Sequence, residues 1–255
     1  MKSGIVTFAG AGPGAPDLIT VRGLNAVKDA DMIIYAGSLV NPDIMSEAKA
    51  DCDIRSSADM DLGEIVETMS KAAKAGLKVL RLHTGDPAIY GAIAEQMSEL
   101  DKEDIEYEVI PGVSSALASA AALNAELTMA GLSQTVMFTR RAGRTPVPEG
   151  QDISSLAAHN ATMCIFLSVG DVDGLIAELI EGGYTTETAV GVVYRATWND
   201  EIVLEGTLGD IAAKIDKAGI TRQAMIIVGD VLKRAGDYSL LYDAGFAHGY
   251  RPEKK

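Results

Sequence analysis

Short apolar runs alternate with segments of helical spacing over the first 110 residues of the chain. The run at residues 79–82 is typical of a buried strand, while residues 62–76 place apolar side chains at helical intervals until Gly76 ends the helix. Alternation of strands and helices predicts a mostly parallel sheet covered by helices. The strands predicted in this region span residues 4–9, 32–36, 79–82 and 105–110.

The pattern changes after Pro111. Residues 113–123 predict a helix of small side chains, and the runs at 189–194 and 201–204 are joined by a short loop, which predicts an antiparallel hairpin. We therefore expect an α/β fold with two lobes, the first with a mostly parallel sheet and the second with a mixed sheet. The expected boundaries are 1–112, 113–232 and a tail at 233–255. The other strands of the second lobe are predicted at 135–140, 163–168 and 224–228, and its helices at 152–158, 172–181 and 208–217.

The composition argues against several classes of protein. The chain has 255 residues and a formal net charge of −14, whereas nucleic-acid binders carry a broad basic surface. Its apolar runs fall short of the roughly 18 residues of a membrane span, and the N-terminus shows no leader pattern. The two cysteines, Cys52 and Cys164, belong to no CxxC or Cys/His cluster. We expect a cytoplasmic protein with reduced thiols, no metal site, and neither nucleic acid nor membrane as a partner.

The stretch VLRLHTGDPAIYG at residues 79–91 carries the first candidate chemistry. A buried strand ends at TGDP (84–87), and helical spacing resumes from Ile89. Ligands bind α/β sheets at the carboxyl ends of strands, and a glycine there lets a ligand approach the backbone. Asp86 has two interpretations that the residues alone leave open. It caps the following helix, with Pro87 in the first turn, or it binds an amine or hydroxyl of a ligand.

The turn GAGPGAP at residues 10–16 satisfies a GxGxxA pattern through Gly10, Gly12 and Ala15. One interpretation is a dinucleotide-binding turn, which would make the chain an NAD(P)-binding oxidoreductase. Two prolines stand where that motif opens a helix with free N–H groups, and the second predicted strand ends Tyr-Ala-Gly without an acidic residue. Both features disfavour the dinucleotide interpretation.

Three segments in this order are more specific: GAGPGAPDLIT at 10–20, TGDPAIYG at 84–91 and PGVSSA at 111–116. With their spacing, they resemble the tetrapyrrole methylases, which are S-adenosylmethionine-dependent enzymes of corrin and sirohaem synthesis. The resemblance covers essentially the whole chain, including VVYRATW and QAMIIVG. The segments GDPAIYGAIAEQ and TRRAGRTPVPE resemble most the subgroup that methylates ring carbon 11 of precorrin-4 or cobalt-precorrin-4.

The resemblance implies a two-lobed α/β homodimer that holds S-adenosylmethionine in the cleft between its lobes. The resemblance also implies which residues contact the cofactor, from their positions in the matching motifs. Thr84 departs from the family pattern, which usually has glycine at this position. Without the resemblance, Leu167 and Ala224 would be interpreted as ordinary sheet core. The implied contacts are Pro13, Thr84, Gly85, Asp86, Ile89, Ser114, Ser115, Leu167, Ala196 and Ala224.

Arginines are the candidates for binding the tetrapyrrole substrate. A corrin precursor carries carboxylate side chains, which guanidinium groups pair in a bidentate manner. Arg140, Arg141 and Arg144 follow a strand end on a glycine-containing loop and are the best candidates, with Arg81 and Arg195 next. A solvated surface cluster is the competing interpretation.

Catalysis is expected to depend mainly on positioning. A sulfonium methyl donor is already activated, so the protein has to align it with an electron-rich ring carbon and exclude water. The sequence offers no Ser/His/Asp or Cys/His constellation, and any cobalt would arrive inside the substrate. His83, beside the TGDP turn, is a candidate for moving a proton, although a lone histidine at a strand end is more often structural.

Three functions are therefore compared. The first is methyl transfer to a corrin precursor, in the carbon-11 subgroup or as another tetrapyrrole methylase of corrin or sirohaem synthesis. The second is the NAD(P)-binding oxidoreductase. The third is a ligand-binding module without catalysis. Related methylases of ribosomal RNA are disfavoured by the acidic charge balance.

Overall fold

The computed structural model describes residues 4–239, 241, 245–247 and 249–250. The chain forms two compact units. Unit 1 comprises the residues up to Ala118 together with Thr197–Asn199, and unit 2 comprises Ser119–Ala196 and the residues from Asp200 onward. The main boundary thus lies shortly after the predicted one at residue 112, and the return of three late residues to unit 1 was not predicted.

Unit 1 is built on a parallel sheet. Its strands are β1 (Val6–Gly10), β2 (Met32–Tyr35), β3 (Asp53–Ser56), β4 (Val79–His83) and β5 (Tyr107–Ile110). Its helices are α1 (Val21–Asp29), α2 (Leu62–Lys74), α3 (Ile93–Lys102) and the start of α4 (Ser115–Ala122). The strand order is β3-β2-β4-β1-β5 and every pairing is parallel, which confirms the prediction for the first sheet.

The core of unit 1 lies on both faces of this sheet. All residues of β1 and β4 are buried, as expected for central strands that are covered on both sides. Phe8 packs in the cluster that includes α2 and α3 residues, whereas Ala9 packs in the cluster that includes α1 residues. Strand β3 was not predicted, because it is a short polar edge strand with exposed side chains.

The helix ends of unit 1 follow local chemistry. The Asp61 side chain accepts a bond from the Glu64 N–H and the Glu64 carboxylate accepts one from the Asp61 N–H, which forms a capping box at the start of α2. The helix predicted from Ile89 instead begins at Ile93. Tyr90 and Ala92 have positive φ angles of 55° and 50°, which no α-helix accommodates.

Unit 2 is built on a mixed sheet. Its strands are β6 (Val136–Arg140), β7 (Thr162–Phe166), β8 (Ala189–Tyr194), β9 (Ile202–Thr207) and β10 (Ala224–Val228). Its helices are the end of α4, α5 (Ile153–Ala157), α6 (Val172–Glu181) and α7 (Ile211–Ala218). The order is β6-β7-β10-β8-β9, and only β6 and β7 pair in parallel. The mixed sheet and the β8–β9 hairpin are confirmed.

The predicted tail starts within unit 2 and lies partly outside the described residues. The Arg234 guanidinium donates to the Leu123 carbonyl over 2.7 Å, and the Asp237 N–H donates to the Ala130 carbonyl over 2.9 Å. The start of the tail is therefore bonded to the rest of unit 2. Within the described ranges, none of the helices combines the length and the apolar character needed to cross a membrane.

Candidate functional site

Glycines from three distant segments meet at the carboxyl end of the unit 1 sheet. Gly12 and Gly85 form an isolated bridge, in which the Gly85 N–H donates to the Gly12 carbonyl over 2.8 Å. A Cβ added to Gly10 or to Gly112 would lie within 3.0 Å of the Gly85 carbonyl oxygen. Only residues without a side chain allow these backbones to approach so closely. The segments at 10–20, 84–91 and 111–116, which carried the family resemblance, are thereby brought together.

Gly85 packs against the start of α4 beside this junction. Its φ angle is +61°, which favours glycine, and a Cβ added there would have ordinary contacts, the nearest at 3.6 Å from the Ser115 nitrogen. A methyl group is therefore accommodated by space at this position, and it is the left-handed backbone conformation that favours glycine.

The Asp86 carboxylate accepts hydrogen bonds from two segments of the site. Its Oδ1 accepts the Ala88 N–H over 2.8 Å and its Oδ2 accepts the Gly112 N–H over 2.9 Å. The carboxylate therefore caps the turn after β4 and links it to the segment after β5, whereas α3 starts only at Ile93. Each oxygen keeps a further lone pair, so ligand binding stays compatible with this structural role.

The remaining predicted contacts of unit 1 surround this junction. Within the described part of the chain, no group bonds the half-buried hydroxyls of Thr84 and Ser115. Ser114 is buried, and its hydroxyl accepts the Ala116 N–H over 3.3 Å. Pro13 is buried in the glycine turn and Ile89 is half-buried in the turn after Asp86.

Two residues that sequence reasoning missed contact the glycine turn, which we define as residues 10–16. The Trp198 indole Nε1 donates to the Pro13 carbonyl over 3.1 Å, and the Ala15 N–H donates to the Thr197 hydroxyl over 2.9 Å. Both residues belong to the short segment Thr197–Asn199 that returns to unit 1. Their position in VVYRATW, a segment noted for its resemblance to the family, was the available signal.

His83 is buried and neutral. Its side chain is 4% exposed, and among the described residues its Nε2 has no hydrogen-bond partner. Burial, with a smaller effect of the Arg81 charge, lowers the pKa of His83 from 6.5 to about 3. An imidazole with this pKa is unprotonated at neutral pH, so the structure argues against His83 as a proton donor.

Arg81 is buried and bonded to other groups of the protein, which argues against the predicted contact with substrate. Its side chain is 5% exposed; Nε donates to the Gln96 Oε1 over 3.2 Å, and Nη1 donates to the Ile34 carbonyl over 3.3 Å. Burial lowers the pKa of Arg81 from 12.5 to about 10, which still leaves it charged at neutral pH. The sequence did not indicate this burial, because a strand position beside a turn does not reveal which face of the sheet is covered by other elements.

In unit 2, two arginines of the predicted cluster are engaged by the protein itself. The Arg140 guanidinium donates to the carbonyls of Thr145 and Pro146 over 3.1 and 2.8 Å, which shapes the loop after β6. Arg141 pairs with Glu178 over 2.8 Å and also with Asp171. The bond to Glu178 is the main reason that the pKa of Arg141 is raised.

Arg144 differs from its two neighbours. It is exposed, and no described residue pairs with it. The more remote candidate Arg195 forms an ion pair with Asp200 over 3.1 Å. Of the arginines predicted from the TRRAGRT loop, Arg144 therefore has the guanidinium best able to receive an external carboxylate.

The three cofactor contacts predicted in unit 2 lie along one edge of its sheet. Leu167 follows β7, Ala224 opens β10, and Ala196 follows β8, while β10 runs antiparallel between the other two strands. Leu167 is 76% exposed with a positive φ of 55°, so the interpretation as ordinary core is wrong for this residue. Ala196 and Ala224 are buried.

Comparison with known proteins identifies the family. The profile of the tetrapyrrole (corrin/porphyrin) methylases matches residues 6–212 of the chain. The chain belongs to this family. The predicted membership of the tetrapyrrole methylases is thereby confirmed, and it favours methyl transfer over the oxidoreductase interpretation.

Individual tetrapyrrole methylases resemble this chain over nearly its full length. The cobalt-precorrin-4 C(11)-methyltransferase of Methanocaldococcus jannaschii is 53% identical over 98% of this chain and 97% of its own length. The X-ray structure of a cobalt precorrin-4 methyltransferase has a TM-score of 0.87 and 45% identity, with 89% of this chain and 95% of that chain covered. These relatives confirm the predicted subgroup resemblance.

A more distant methylase structure contains a cofactor product. The uroporphyrin-III C-methyl transferase of Thermus thermophilus, in complex with S-adenosyl homocysteine, has a TM-score of 0.75 and 26% identity, with 92% of this chain and 96% of that chain covered. A tetrapyrrole methylase of this fold thus binds the demethylated form of the predicted cofactor.

Proposed function

We propose that this chain transfers a methyl group from S-adenosylmethionine to ring carbon 11 of precorrin-4 or cobalt-precorrin-4 in cobalamin biosynthesis. The observation that carries the proposal is the 53% identity, over 98% of the chain, with a methyltransferase of that name. No feature of the described residues favours another tetrapyrrole methylase or the non-catalytic module more strongly.

The unit 1 site fits S-adenosylmethionine in its donor and acceptor groups. Backbone of the start of α4 lies against Gly85, and among the described residues the hydroxyls of Thr84 and Ser115 have no hydrogen-bond partner. Asp86 adds a carboxylate whose remaining lone pairs suit an amine or a ribose hydroxyl. Pro13 and Ile89 would add apolar contact. We assign cofactor holding to these residues.

In this proposal the chain contributes positioning. S-adenosylmethionine supplies, when bound, a methyl group that the sulfonium charge has activated. Asp86 bonds the turn after β4 to the segment at 111–116, which holds the two segments in one fixed arrangement. His83 stays neutral, which leaves proton movement to the substrate and solvent. Arg144 binds a carboxylate of the ring, while Arg140 and Arg141 hold the loop that carries it.

Methyl transfer to an identified carbon tests the proposal directly. The protein is incubated with carbon-13-methyl-labelled S-adenosylmethionine and either precorrin-4 or cobalt-precorrin-4, and the product is examined by carbon-13 NMR. We expect one new methyl resonance assigned to ring carbon 11. A label on another carbon would establish a different tetrapyrrole methylase, and absence of transfer from a cofactor that binds would support the non-catalytic module.

Calorimetry separates the proposal from the oxidoreductase interpretation. We expect S-adenosylhomocysteine to bind and NADH not to bind. The reverse result would refute the methyltransferase.

A homodimer and a cytoplasmic location accompany this proposal. The family resemblance supports the dimer, and light scattering should give twice the 26.8 kDa mass of one chain. Both cysteines, Cys52 and Cys164, are free thiols, which suits a reducing compartment. Fractionation of the native host with antibody detection tests the location.

A further inference from the structure

A segment of three residues that is distant in the sequence contacts the glycine turn. Thr197–Asn199 lies in the connection between β8 and β9 of unit 2, yet it packs as part of unit 1. Its contacts with the turn join residues 182 and 185 positions apart. Thr197 accepts the Ala15 N–H, and Trp198 donates to the Pro13 carbonyl.

The turn is shaped to receive the indole. A Cβ added to Gly14 would lie within 3.0 Å of three atoms of the Trp198 ring. Gly14 is not among the residues with positive φ, so its backbone conformation is open to other residues. The glycine is therefore required for the space that the indole occupies. Asn41 holds the same turn from another direction, since its Nδ2 donates to the Gly14 carbonyl over 2.9 Å.

The segment is held in an unfavourable backbone conformation. Thr197 has a φ of +70°, which is rare for a β-branched residue, and Arg195 nearby has a φ of +47°. Such conformations persist where surrounding contacts determine them, and they cluster at binding sites. The bond from the Ala15 N–H to the Thr197 hydroxyl is a contact of this kind.

We propose that Thr197 and Trp198 are positioning residues that hold the glycine turn in the conformation that receives S-adenosylmethionine. This inference rests on the proposed function and assigns a role to residues outside the implied cofactor contacts. Trp198 fixes the orientation of the Pro13 carbonyl and Thr197 fixes the Ala15 N–H, so the buried Pro13 is presented in a single conformation. The turn is then ordered before the cofactor arrives, which lowers the entropic cost of binding.

Binding of S-adenosylhomocysteine to matched variants tests the two hydrogen bonds. Trp198→Phe keeps an aromatic ring and removes the N–H donor, while Thr197→Val keeps the branched shape and removes the hydroxyl. We expect the Kd from calorimetry to rise about fivefold to tenfold in each, the effect of one lost hydrogen bond. Thr197→Ser keeps the hydroxyl and should restore binding to within about twofold of wild type.

Kinetics distinguish positioning from a general loss of stability. In both hydrogen-bond variants we expect the KM for S-adenosylmethionine to rise with the Kd, while kcat at saturating cofactor stays within about twofold. If only packing mattered, Thr197→Ser, which loses a methyl group, should lower the melting temperature and weaken binding more than Thr197→Val, which keeps the branched shape. If Trp198→Phe fails to fold, the Thr197 pair decides the question.

Trp198 also reports on its own surroundings, because it is the single tryptophan of the chain. We expect its emission to change on titration with S-adenosylhomocysteine and to yield the calorimetric Kd. Gly14→Ala should shift the emission to longer wavelength and increase quenching by acrylamide before any ligand is added, since the methyl group displaces the indole. Gly63→Ala, at an exposed position in the first turn of α2, is the control and should change neither emission nor Kd.

A double-mutant cycle completes the test. Gly14→Ala should weaken ligand binding strongly in the wild-type background and much less in the Trp198→Ala background, because the clash is then absent. Additive effects, or wild-type affinity in Trp198→Phe and Thr197→Val, would overturn the inference while leaving the proposed function intact. Absence of S-adenosylhomocysteine binding to the wild-type protein would refute both.

Discussion

Acid should destabilise this protein through His83, and the size of the effect follows from its burial. The folded-state pKa is lowered to about 3, because the side chain is 4% exposed and lies near the Arg81 charge. In the unfolded chain the imidazole binds a proton below its ordinary pKa of about 6.5. The unfolded state therefore binds more protons than the folded state between these values, and stability falls as the pH is lowered.

The expected loss is substantial between pH 7 and pH 5. Each pKa unit corresponds to about 1.4 kcal/mol, and integration over this range gives a loss of about 2 kcal/mol from His83. His83→Phe removes the titrating group and keeps a ring beside Phe8, whose ring centroid lies 6.1 Å from that of His83. The stability difference between wild type and this variant should thus change by about 2 kcal/mol over the range, since effects of other groups cancel.

Urea unfolding at pH 7, 6 and 5 measures this difference, and NMR supplies an independent check. The chain holds three histidines, and the imidazole signal that disappears in His83→Phe should keep its neutral chemical shift down to about pH 4. A stability difference independent of pH, or a His83 signal that titrates near pH 6.5, would show that the site is open to water and that the reasoning is wrong. His83→Gln also removes the titrating ring, so its stability difference from wild type should change with pH by the same amount as that of His83→Phe.

Three further predictions follow from the same structure. Asp86→Ala removes the acceptor of the Gly112 N–H and should weaken S-adenosylhomocysteine binding at least tenfold by calorimetry, whereas Asp86→Asn should weaken it less. Equal affinity of wild type and Asp86→Ala would refute the role of this hydrogen bond. Arg144→Ala should raise the KM for the tetrapyrrole about tenfold and leave the KM for S-adenosylmethionine unchanged, and equal effects on both would contradict its assignment to substrate. Arg141→Met should lower the free energy of unfolding in urea by about 1 kcal/mol, because its partly exposed ion pair with Glu178 is lost. If the free-energy change calculated from the substrate KM is larger than this loss of stability, Arg141 is a substrate ligand instead.

Local sequence patterns were sufficient for much of the fold. The period of the apolar residues identified the central strands β1 and β4, and the loop between β8 and β9 identified the antiparallel hairpin. These elements could be predicted because burial on both faces or on one face leaves a direct trace in the order of residues. Strand β3 left no such trace, since its polar edge position is decided by pairing with β2.

The sequence alone also determined the family, because three glycine-containing motifs in a fixed order are rarely found by chance. It could not show why those glycines are needed. Gly10, Gly85 and Gly112 lie far apart in the chain, and only the folded sheet places one backbone against the next. The same limit applies to Asp86, because only the fold shows that its carboxylate accepts the N–H groups of Ala88 and Gly112.

Tertiary structure alone decided which charged and polar side chains are available. Arg81 and Arg144 both stand beside loops in the sequence, yet one is buried against the sheet and the other is exposed. Trp198 reaches Pro13 across 185 positions, a contact that no local pattern encodes. Periodicity in a sequence reports whether a segment is buried, whereas the partner of a hydrogen bond or an ion pair is selected by the packing of distant segments, so it is established only when the chain folds.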